Sequence, residues 1–255
     1  MLLFTGRSTG ARWRAGRLVV GALVGAAGLV FLAEFAVTMI WQEPFSYFTA
    51  HGTQRRLDRQ LAALERRAPS PPLGASTYRP GFVAQQQSFM AKRLLRRAGS
   101  GSPLGRILIR RMQVRFVFVA DTSEDALKRG PGHYQRTVLP GQHGTVGIAG
   151  HRTSYGAPFR HIDALRSGDS VVLVMPYGVY TYRVTHHRIV DPAARWVLRT
   201  RRHDQLVLTA CTPLYSAARR YVVFARPVGF ALRRDPTASG PAWPRAARPG
   251  ARAST

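Results

Sequence analysis

The stretch LVLTACTPLYSAARRYVVFA, residues 206–225, predicts two apolar β-strands joined by a short connection. The candidate strands are Gln205–Ala210 and Tyr221–Ala225, and Pro213 turns the chain after the first of them. Cys211 lies at the end of the first strand and is the only cysteine in the 255 residues, so it cannot form a disulfide within the chain. The two strands therefore raise two questions: which fold they belong to, and what a single thiol does there.

Further short β-like runs, separated by Gly and Pro, occupy the segment that precedes this stretch. They are Ile107–Ile109, Val114–Ala120, Thr145–Ala149, Ser170–Met175, Val179–Val184 and His187–Val190. Pro176–Gly178 predicts a tight hairpin between two of them, and residues 123–130 and 159–168 predict short helices. Many short strands at this spacing are typical of a closed barrel or a sandwich, so the sequence predicts an all-β domain.

The N-terminal segment predicts a single membrane anchor. Residues 18–41 read LVVGALVGAAGLVFLAEFAVTMIW, which is 24 residues with one charge, Glu34. A helix of that length spans roughly 36 Å, enough for a bilayer core of about 30 Å. Four arginines and no acidic residue precede it, so the positive-inside rule places residues 1–17 in the cytoplasm and the rest of the chain outside. A cleaved signal peptide is the alternative, although the sequence shows no obvious small-residue cleavage site.

Three further segments are distinguished by their composition. Residues 42–102 are predicted to form a partly helical, membrane-proximal spacer, in which leucines at spacings of four and three form a narrow stripe on a charged helix. The alternative is that these helices pack on the folded domain. Residues 103–232 contain the predicted strands and form that domain, and residues 233–255 are predicted to be a disordered basic tail.

The chain is strongly positive, with 38 Lys+Arg against 12 Asp+Glu and a formal net charge of +26. Such a charge favours anionic partners. A domain held outside the membrane is expected to meet the acidic headgroups of the lipid bilayer or wall polymers rather than nucleic acid. One cysteine and scattered histidines give no metal-ligand pattern, so no metal and no cofactor are expected.

Cys211 and His151 are the candidate catalytic pair. Cys211 lies at a strand end, where a side chain can face a groove, and antiparallel pairing brings Arg219 or Arg220 back beside it. A nearby cation favours the thiolate, which is the nucleophile, and an arginine also stabilises an oxyanion. His151 ends the run TVGIAGH, so a second strand end presents an imidazole for acid–base chemistry. A buried structural cysteine is the alternative.

Three segments of the sequence resemble the sortase family: TVGIAGHR at 145–152, LVLTACTP at 206–213 and SAARRYVV at 216–223. Longer strings resemble the class E group of actinobacteria, with classes D and F as neighbouring possibilities. These strings are WQEPF at 41–45, LKRGPGHY at 127–134 and LPGQHGTVGIAGHRTSYGAPF at 139–159.

The resemblance implies an eight-stranded sortase-type β-barrel and cysteine transpeptidation without a cofactor. A sortase cleaves the C-terminal sorting signal of a secreted protein between Thr and Gly, and passes the acyl group from its cysteine to an amine of a peptidoglycan precursor. The resemblance implies that Cys211 is the nucleophile, His151 the proton carrier and Arg220 the oxyanion clamp, with Arg219 as the alternative. Class E members are associated with L-A-x-T-G signals in place of L-P-x-T-G.

Five residues near these motifs are expected to contact the substrate. They are Thr153, Tyr155, Thr209, Ala210 and Ser216. The Tyr155 ring is expected to narrow a pocket for alanine over proline, the alternative being that it packs on the barrel. Ala210 stands where the family has Thr, and this departure predicts a change in rate or in signal preference.

Two other functions stay open at this level. A hydrolytic cysteine peptidase would use the same Cys/His pair but would release a free acid instead of ligating an amine. A non-catalytic basic barrel that binds wall polymer or lipid would not need Cys211 at all. The expected location is the cell membrane, with a single pass, a cytoplasmic N-terminus and an extracellular catalytic domain.

Overall fold

The structure is a computed structural model that describes residues 9–40, 44–67, 80–200 and 202–231. The chain divides into two compact units, Met1–Tyr47 and Phe48–Thr255. Helix α1 covers Thr9–Ile40 in the first unit. Within the described part of the chain, no helix combines the length and the apolar character needed to cross a membrane.

Two expectations from the sequence fall partly or wholly outside the described residues. The predicted membrane span, 18–41, ends beyond α1 and extends over positions that the structure does not describe. The predicted tail, 233–255, lies outside the described residues altogether. Both stay predictions.

The second unit contains eight described strands that close into a barrel. They are β1 Pro103–Ile109, β2 Val114–Ala120, β3 Gly132–His133, β4 Thr145–Ala149, β5 Ser170–Met175, β6 Gly178–Val190, β7 Gln205–Thr212 and β8 Arg219–Ala231. Their order around the barrel is β1-β2-β3-β4-β7-β8-β6-β5. The predicted eight-stranded barrel is therefore confirmed.

Two details of the strand prediction are wrong. The runs Val179–Val184 and His187–Val190 belong to one strand, β6, because β8 pairs along its whole length. A shift in register between Val184 and His186 accommodates Thr185, and it breaks the alternation that a continuous strand would show. Strand β3 was not predicted, because it is two residues long and its sequence carries no period.

The barrel interior is built from the inward-facing side chains of the strands. In β5 the burial alternates residue by residue, as expected for a strand with one face on the core. The largest fully buried interior side chains include Phe118, Phe159, Ile148 and Leu173. Burying each such side chain contributes about 1.5–3 kcal/mol, so the interior supplies much of the stability of the second unit.

The outer face of β7 and β8 has a smaller apolar cluster of its own. Val207, Val222 and Phe224 pack there against Val197. Val197 belongs to a 3₁₀ helix, Arg195–Leu198, in the connection between β6 and β7. This connection is therefore held against the two strands that carry the stretch 206–225.

Two helices of the segment 42–102 pack on the barrel. In α2, Pro44–Arg67, the side chains of Leu57 and Leu61 are fully buried in a cluster with Val117, Val119 and Ala126. In α3, Pro80–Arg97, Ala91 is fully buried in the barrel core. The sequence left open whether these helices form a free spacer or pack on the domain, and the described residues show that they pack on it.

Polar contacts also fasten these helices to the barrel. The Gln54 side chain accepts a hydrogen bond from the Val117 amide at 2.7 Å and donates one to the Val117 carbonyl at 3.1 Å, as an added strand would. The Arg106 guanidinium of β1 forms ion pairs with the carboxylates of Asp58 and Glu65 in α2. The Tyr180 hydroxyl donates to the side-chain oxygen of Gln87 in α3 at 2.6 Å.

Both predicted short helices are present in part. Residues Glu124–Arg129 form α4, within the predicted range 123–130. The predicted helix 159–168 is reduced to one 3₁₀ turn, Ile162–Ala164, because Phe159 and Ile162 both enter the core and leave no continuous helical face.

His133 in β3 is fully buried between hydrogen-bonding groups. Its Nε2 lies 3.0 Å from the Val138 carbonyl oxygen and 3.1 Å from the Thr137 hydroxyl, and its Nδ1 has no hydrogen-bond partner among the described residues. Burial lowers the pKa of His133 below its ordinary value of 6.5, although the Val138 carbonyl opposes that shift. The folded state therefore holds this imidazole neutral.

We expect the protein to lose stability as the pH falls below the ordinary histidine value. The unfolded chain binds a proton at His133 at a higher pH than the folded chain, so the stabilisation is complete above about pH 6.5 and is lost toward the lowered pKa. Thermal melts between about pH 5 and pH 7.5 measure this slope. His133→Gln should reduce the slope, with His151, whose pKa burial also lowers, contributing to the remainder, and His161→Gln at an exposed position is the matched control. Equal slopes in the wild type and His133→Gln would contradict the assignment.

Candidate active site

Cys211 and Arg220 are brought side by side by the pairing of β7 with β8. The two strands are antiparallel, and their register places Cys211 opposite Arg220 and Thr212 opposite Arg219. Alternation along β8 puts Tyr221 into the core, so Arg219 shares the inner face and Arg220 shares the outer face with Val222. The sequence left the choice between the two arginines open, and the register favours Arg220.

The Arg220 guanidinium is held by the connection between the two strands. Its Nη1 donates to the Ala217 carbonyl at 3.0 Å and to the Arg219 carbonyl at 3.3 Å. Both Arg220 and Cys211 are partly exposed. The register therefore puts a cationic residue across the ladder from an accessible cysteine, an arrangement compatible with oxyanion stabilisation.

His151 reaches the same end of the barrel through the parallel pairing of β4 with β7. The register pairs Ala149 with Thr209, and the Gly150 amide donates to the Thr209 carbonyl at 3.0 Å. His151 and Cys211 are each two residues beyond the paired positions. The two side chains predicted to act together therefore stand at neighbouring strand ends.

The glycine before His151 is required by close packing. A Cβ atom at Gly150 would lie 2.6 Å from the Phe159 ring, a separation that cannot be accommodated without moving the ring. Phe159 in turn returns to this strand end, where its amide donates to the His151 carbonyl at 2.9 Å. The glycine therefore leaves space at the end of β4 that the Phe159 ring fills.

The His151 imidazole lies in a half-buried site. Its Nε2 atom is buried and has no hydrogen-bond partner among the described residues. The Tyr155 ring packs against it with 5.3 Å between centroids and a tilt of 49°. Burial lowers the pKa of His151, and the negative charge of Glu124 opposes that shift more weakly. Burial therefore favours the neutral imidazole, which is the form that accepts a proton.

A groove of about 620 Å³ runs along the outer face of the barrel beside Arg220. Its apolar wall includes Val197, Leu198 and Val222, and its polar wall includes Thr209. The Tyr134 and Thr209 hydroxyls are 2.8 Å apart and hydrogen-bonded to each other. Charged side chains also line the groove, among them Asp121, Arg136 and Asp191, whereas neither Cys211 nor His151 lines it.

A second groove, of about 780 Å³, lies between α3 and the opposite end of the barrel. Gly144 and Gln205, which line it, stand at the starts of the strands whose other ends lead to His151 and Cys211. It contains none of the predicted catalytic or substrate-binding residues.

The predicted substrate contacts are found in three different settings. Thr209 lines the groove, although its side chain is buried. Thr153 and Tyr155 follow His151 and are partly exposed, but neither lines the groove. Ser216 lies in the connection between β7 and β8, where its hydroxyl oxygen accepts a hydrogen bond from the Ala218 amide at 3.2 Å.

The structure places Ala210, a predicted substrate contact, in the barrel core, and its contact with a substrate stays a prediction. Its side chain is 3% exposed and belongs to the core cluster with Leu208 and Val223. Successive strand residues face opposite sides, so Ala210 faces the interior while Cys211 faces outward. The departure from the family's Thr therefore changes core packing.

Two residues near the site were not found from the sequence. Tyr134 lines the groove and is hydrogen-bonded to Thr209, but the sequence shows it only as part of GPGHY. Arg152 is buried beside His151, which no composition rule predicts for a charged residue. Among the described residues, no group of three or more His, Cys, Asp or Glu side chains is arranged to hold a metal ion.

The family model for the Sortase domain matches residues 107–228, which include most of the barrel and all three candidate catalytic residues. The chain belongs to the sortase family. Sortase D of Bacillus subtilis is 30% identical over 134 residues, which is 51% of this chain and 66% of that protein. Sortase SrtE1 of Streptomyces coelicolor is 29% identical over 122 residues, covering 42% of this chain and 35% of that protein.

A solved sortase structure shows the same fold. The crystal structure of sortase E1 from Streptomyces coelicolor, with a tripeptide in its active site, has a TM-score of 0.51 and 25% sequence identity. The match covers 53% of this chain and 94% of that chain. This sortase spans less than two thirds of its curated relatives in length, and those relatives include both class D and class E enzymes.

The register between β7 and β8 predicts that Arg220, and not Arg219, is needed for activity. Arg220→Ala should lower kcat about 100-fold or more, as the loss of an oxyanion donor does elsewhere. Arg220→Lys should also lower kcat strongly, because the compact ammonium group of lysine does not replace the planar guanidinium with its several donors. Arg219→Ala is the matched control and should stay near wild type in a peptide ligation assay. Full activity in Arg220→Ala with loss in Arg219→Ala would show that the register assigns the wrong neighbour.

Proposed function

We propose that this sortase is a cysteine transpeptidase that cleaves a C-terminal sorting signal between Thr and Gly and joins the new carboxyl end to an amine. The observation that carries the proposal is the cross-strand pair of Cys211 and Arg220 with His151 at the neighbouring strand end. The strand register supports the proposal because it brings a thiol, a guanidinium and an imidazole to one end of the barrel, and Arg220 also lines the adjacent groove.

The first half of the reaction forms an acyl-enzyme. The Cys211 thiol gives its proton to His151, and the sulfur forms a bond to the carbonyl carbon of the signal's Thr. Arg220 stabilises the negative charge on the carbonyl oxygen. The bond between Thr and Gly then breaks, and His151 returns the proton to the leaving Gly amine.

The second half of the reaction transfers the acyl group. An amine attacks the thioester carbon, and its surplus proton passes to His151. The bond between the carbon and the Cys211 sulfur breaks, and the sulfur recovers the proton. We propose an amine of a peptidoglycan precursor as the acceptor, so that the products are surface proteins anchored to the cell wall.

The signal is proposed to be of the L-A-x-T-G or L-P-x-T-G type. The resemblance to class E favours L-A-x-T-G. Thr209 and Tyr134 are proposed to contact the peptide in the groove. Tyr155 is proposed to contact the peptide next to His151, because its ring packs against that imidazole. Ser216 and Thr153 stay predicted contacts at the margin of the site.

The ligation reaction is the decisive test of the proposed function. The full chain in detergent, incubated with an L-A-x-T-G or L-P-x-T-G peptide and a glycine-rich amine, should yield the ligated product by mass spectrometry. Cys211→Ala and His151→Ala should each abolish that product while keeping the wild-type circular dichroism spectrum, because each removes a separate chemical group. Release of free acid alone would support the hydrolytic peptidase instead. If cells that carry Cys211→Ala behave as wild-type cells, the non-catalytic barrel that binds wall polymer or lipid would be supported instead.

We also propose that residues 18–41 anchor the protein in the cell membrane with its N-terminus inside. The support is the sequence, with its long apolar run and four preceding arginines. In α1 the described apolar side chains are exposed, including Leu23, Leu29 and Phe31. Exposed apolar surface of this kind is typical of a segment that contacts a membrane or another protein.

Protease treatment of intact cells tests the proposed topology. A protease added outside should remove the barrel domain from cells with an intact membrane, because the positive-inside rule places the C-terminal side outside. A cytoplasmic protein of the same cells is the control and should stay intact. A domain that is protected until the membrane is permeabilised would contradict this topology.

A further inference from the structure

A buried hydrogen bond lies behind the candidate catalytic pair. Arg152 directly follows His151 in the chain, and Thr212 directly follows Cys211. Both side chains are buried, with exposures of 4% for Arg152 and 8% for Thr212. The Arg152 Nη1 donates to the Thr212 hydroxyl oxygen at 3.2 Å. The pair therefore joins the two segments from which the imidazole and the thiol project.

The Arg152 guanidinium is fixed by two further partners. Its Nη2 forms an ion pair with Asp163 Oδ2 at 2.7 Å, and its Nε donates to the Arg160 carbonyl at 3.2 Å. Asp163 belongs to the 3₁₀ turn Ile162–Ala164. Three contacts hold the planar guanidinium of Arg152 in one orientation, so the Thr212 hydroxyl is bonded to a rigid partner.

This link begins where the backbone ladder ends. The last backbone hydrogen bond between the β4 segment and β7 runs from the Gly150 amide to the Thr209 carbonyl. Beyond it, among the hydrogen bonds of the described residues, only the bond from Arg152 to Thr212 connects the two strand ends. The separation of His151 from Cys211 is therefore not set by the sheet alone.

We propose that Arg152 and Thr212 are positioning residues that set the distance between the His151 imidazole and the Cys211 thiol. The proposal rests on the proposed transpeptidase function, in which a proton passes between these two groups. Proton transfer needs hydrogen-bond reach, and a misplacement of about 1 Å costs about 100-fold in rate. Loss of the link should thus lower the rate of the chemical steps while peptide binding in the groove is retained.

The decisive variant is Thr212→Val, which removes the hydroxyl acceptor and keeps a similar shape. It should lower kcat about 10-fold to 100-fold and leave KM within about twofold. Thr212→Ser keeps the hydroxyl and should restore kcat to within about threefold of the wild type. The rescue separates the hydrogen bond from the volume of the side chain.

The matched control is Gln205→Leu at the far end of the same two strands. Gln205 is buried in β7, and its side-chain nitrogen donates to the hydroxyl of Thr145 in β4 at 2.9 Å. Its removal also deletes a buried side-chain link between β4 and β7, but one remote from Cys211. Gln205→Leu should therefore lower the melting temperature without lowering kcat. Equal losses of kcat in Gln205→Leu and Thr212→Val would overturn the proposal, as would wild-type kcat in Thr212→Val or a failure of Thr212→Ser to rescue.

A second readout needs no sorting signal. The rate of Cys211 alkylation by iodoacetamide at neutral pH should fall in Thr212→Val, because the thiol loses its neighbouring base. A wild type that alkylates rapidly but ligates no peptide would refute the proposed function and leave this test of positioning in place. An unchanged alkylation rate in Thr212→Val would overturn the positioning role.

If Thr212→Val does not fold, Asp163→Asn decides the matter. The Asp163 side chain is 51% exposed, so this change leaves the barrel core intact while it weakens the anchor of Arg152. The expected result is a smaller loss of kcat and of alkylation rate in the same direction. Wild-type values for both would overturn the proposal.

Discussion

The antiparallel register between β7 and β8 is the constraint on which the site depends. It places Arg220 opposite Cys211 and turns both side chains outward. A slip of one residue would bring Arg219 opposite the thiol and would expose inward residues such as Tyr221. The register is held by interior side chains and by β6, which pairs with β8 on its other edge. The positions of Cys211 and Arg220 are therefore set by packing in the barrel interior.

The parallel pairing of β4 with β7 adds the third group. It ends two residues before His151 and Cys211, so the two strand ends emerge together but are no longer joined to each other by the β4–β7 ladder. Close packing takes over at that point. Phe159 fills the space beside Gly150, and the Arg152 guanidinium fills the space behind the pair. Burial lowers the pKa of His151 and so favours its neutral form. Cys211, near the end of β7, is partly exposed, so its thiol is accessible.

The scarcity of acidic residues gives the few carboxylates structural importance. The chain has 12 Asp+Glu against 38 Lys+Arg, so most arginines cannot be paired. Asp58 and Glu65 pair with Arg106 and join α2 to β1, and Asp163 pairs with the buried Arg152. In each pair the arginine is largely buried, so removing its carboxylate partner leaves a poorly compensated charge and makes these contacts sensitive to substitution. The excess of arginines gives the chain a surplus of positive charge, which favours anionic partners.

The sequence by itself determined the β class of the domain, most of its strands and the two residues Cys211 and His151 as a candidate pair. These follow from apolar runs, turn residues and motifs, all of which are local. It left Arg219 and Arg220 unresolved, because the choice depends on a register between strands. It also did not reveal that alternation turns Ala210 into the core. The packing of α2 and α3, the groove beside Thr209 and the link from Arg152 to Thr212 were decided only by the tertiary structure. Each joins residues far apart in the chain, and no local pattern records which distant segments will meet.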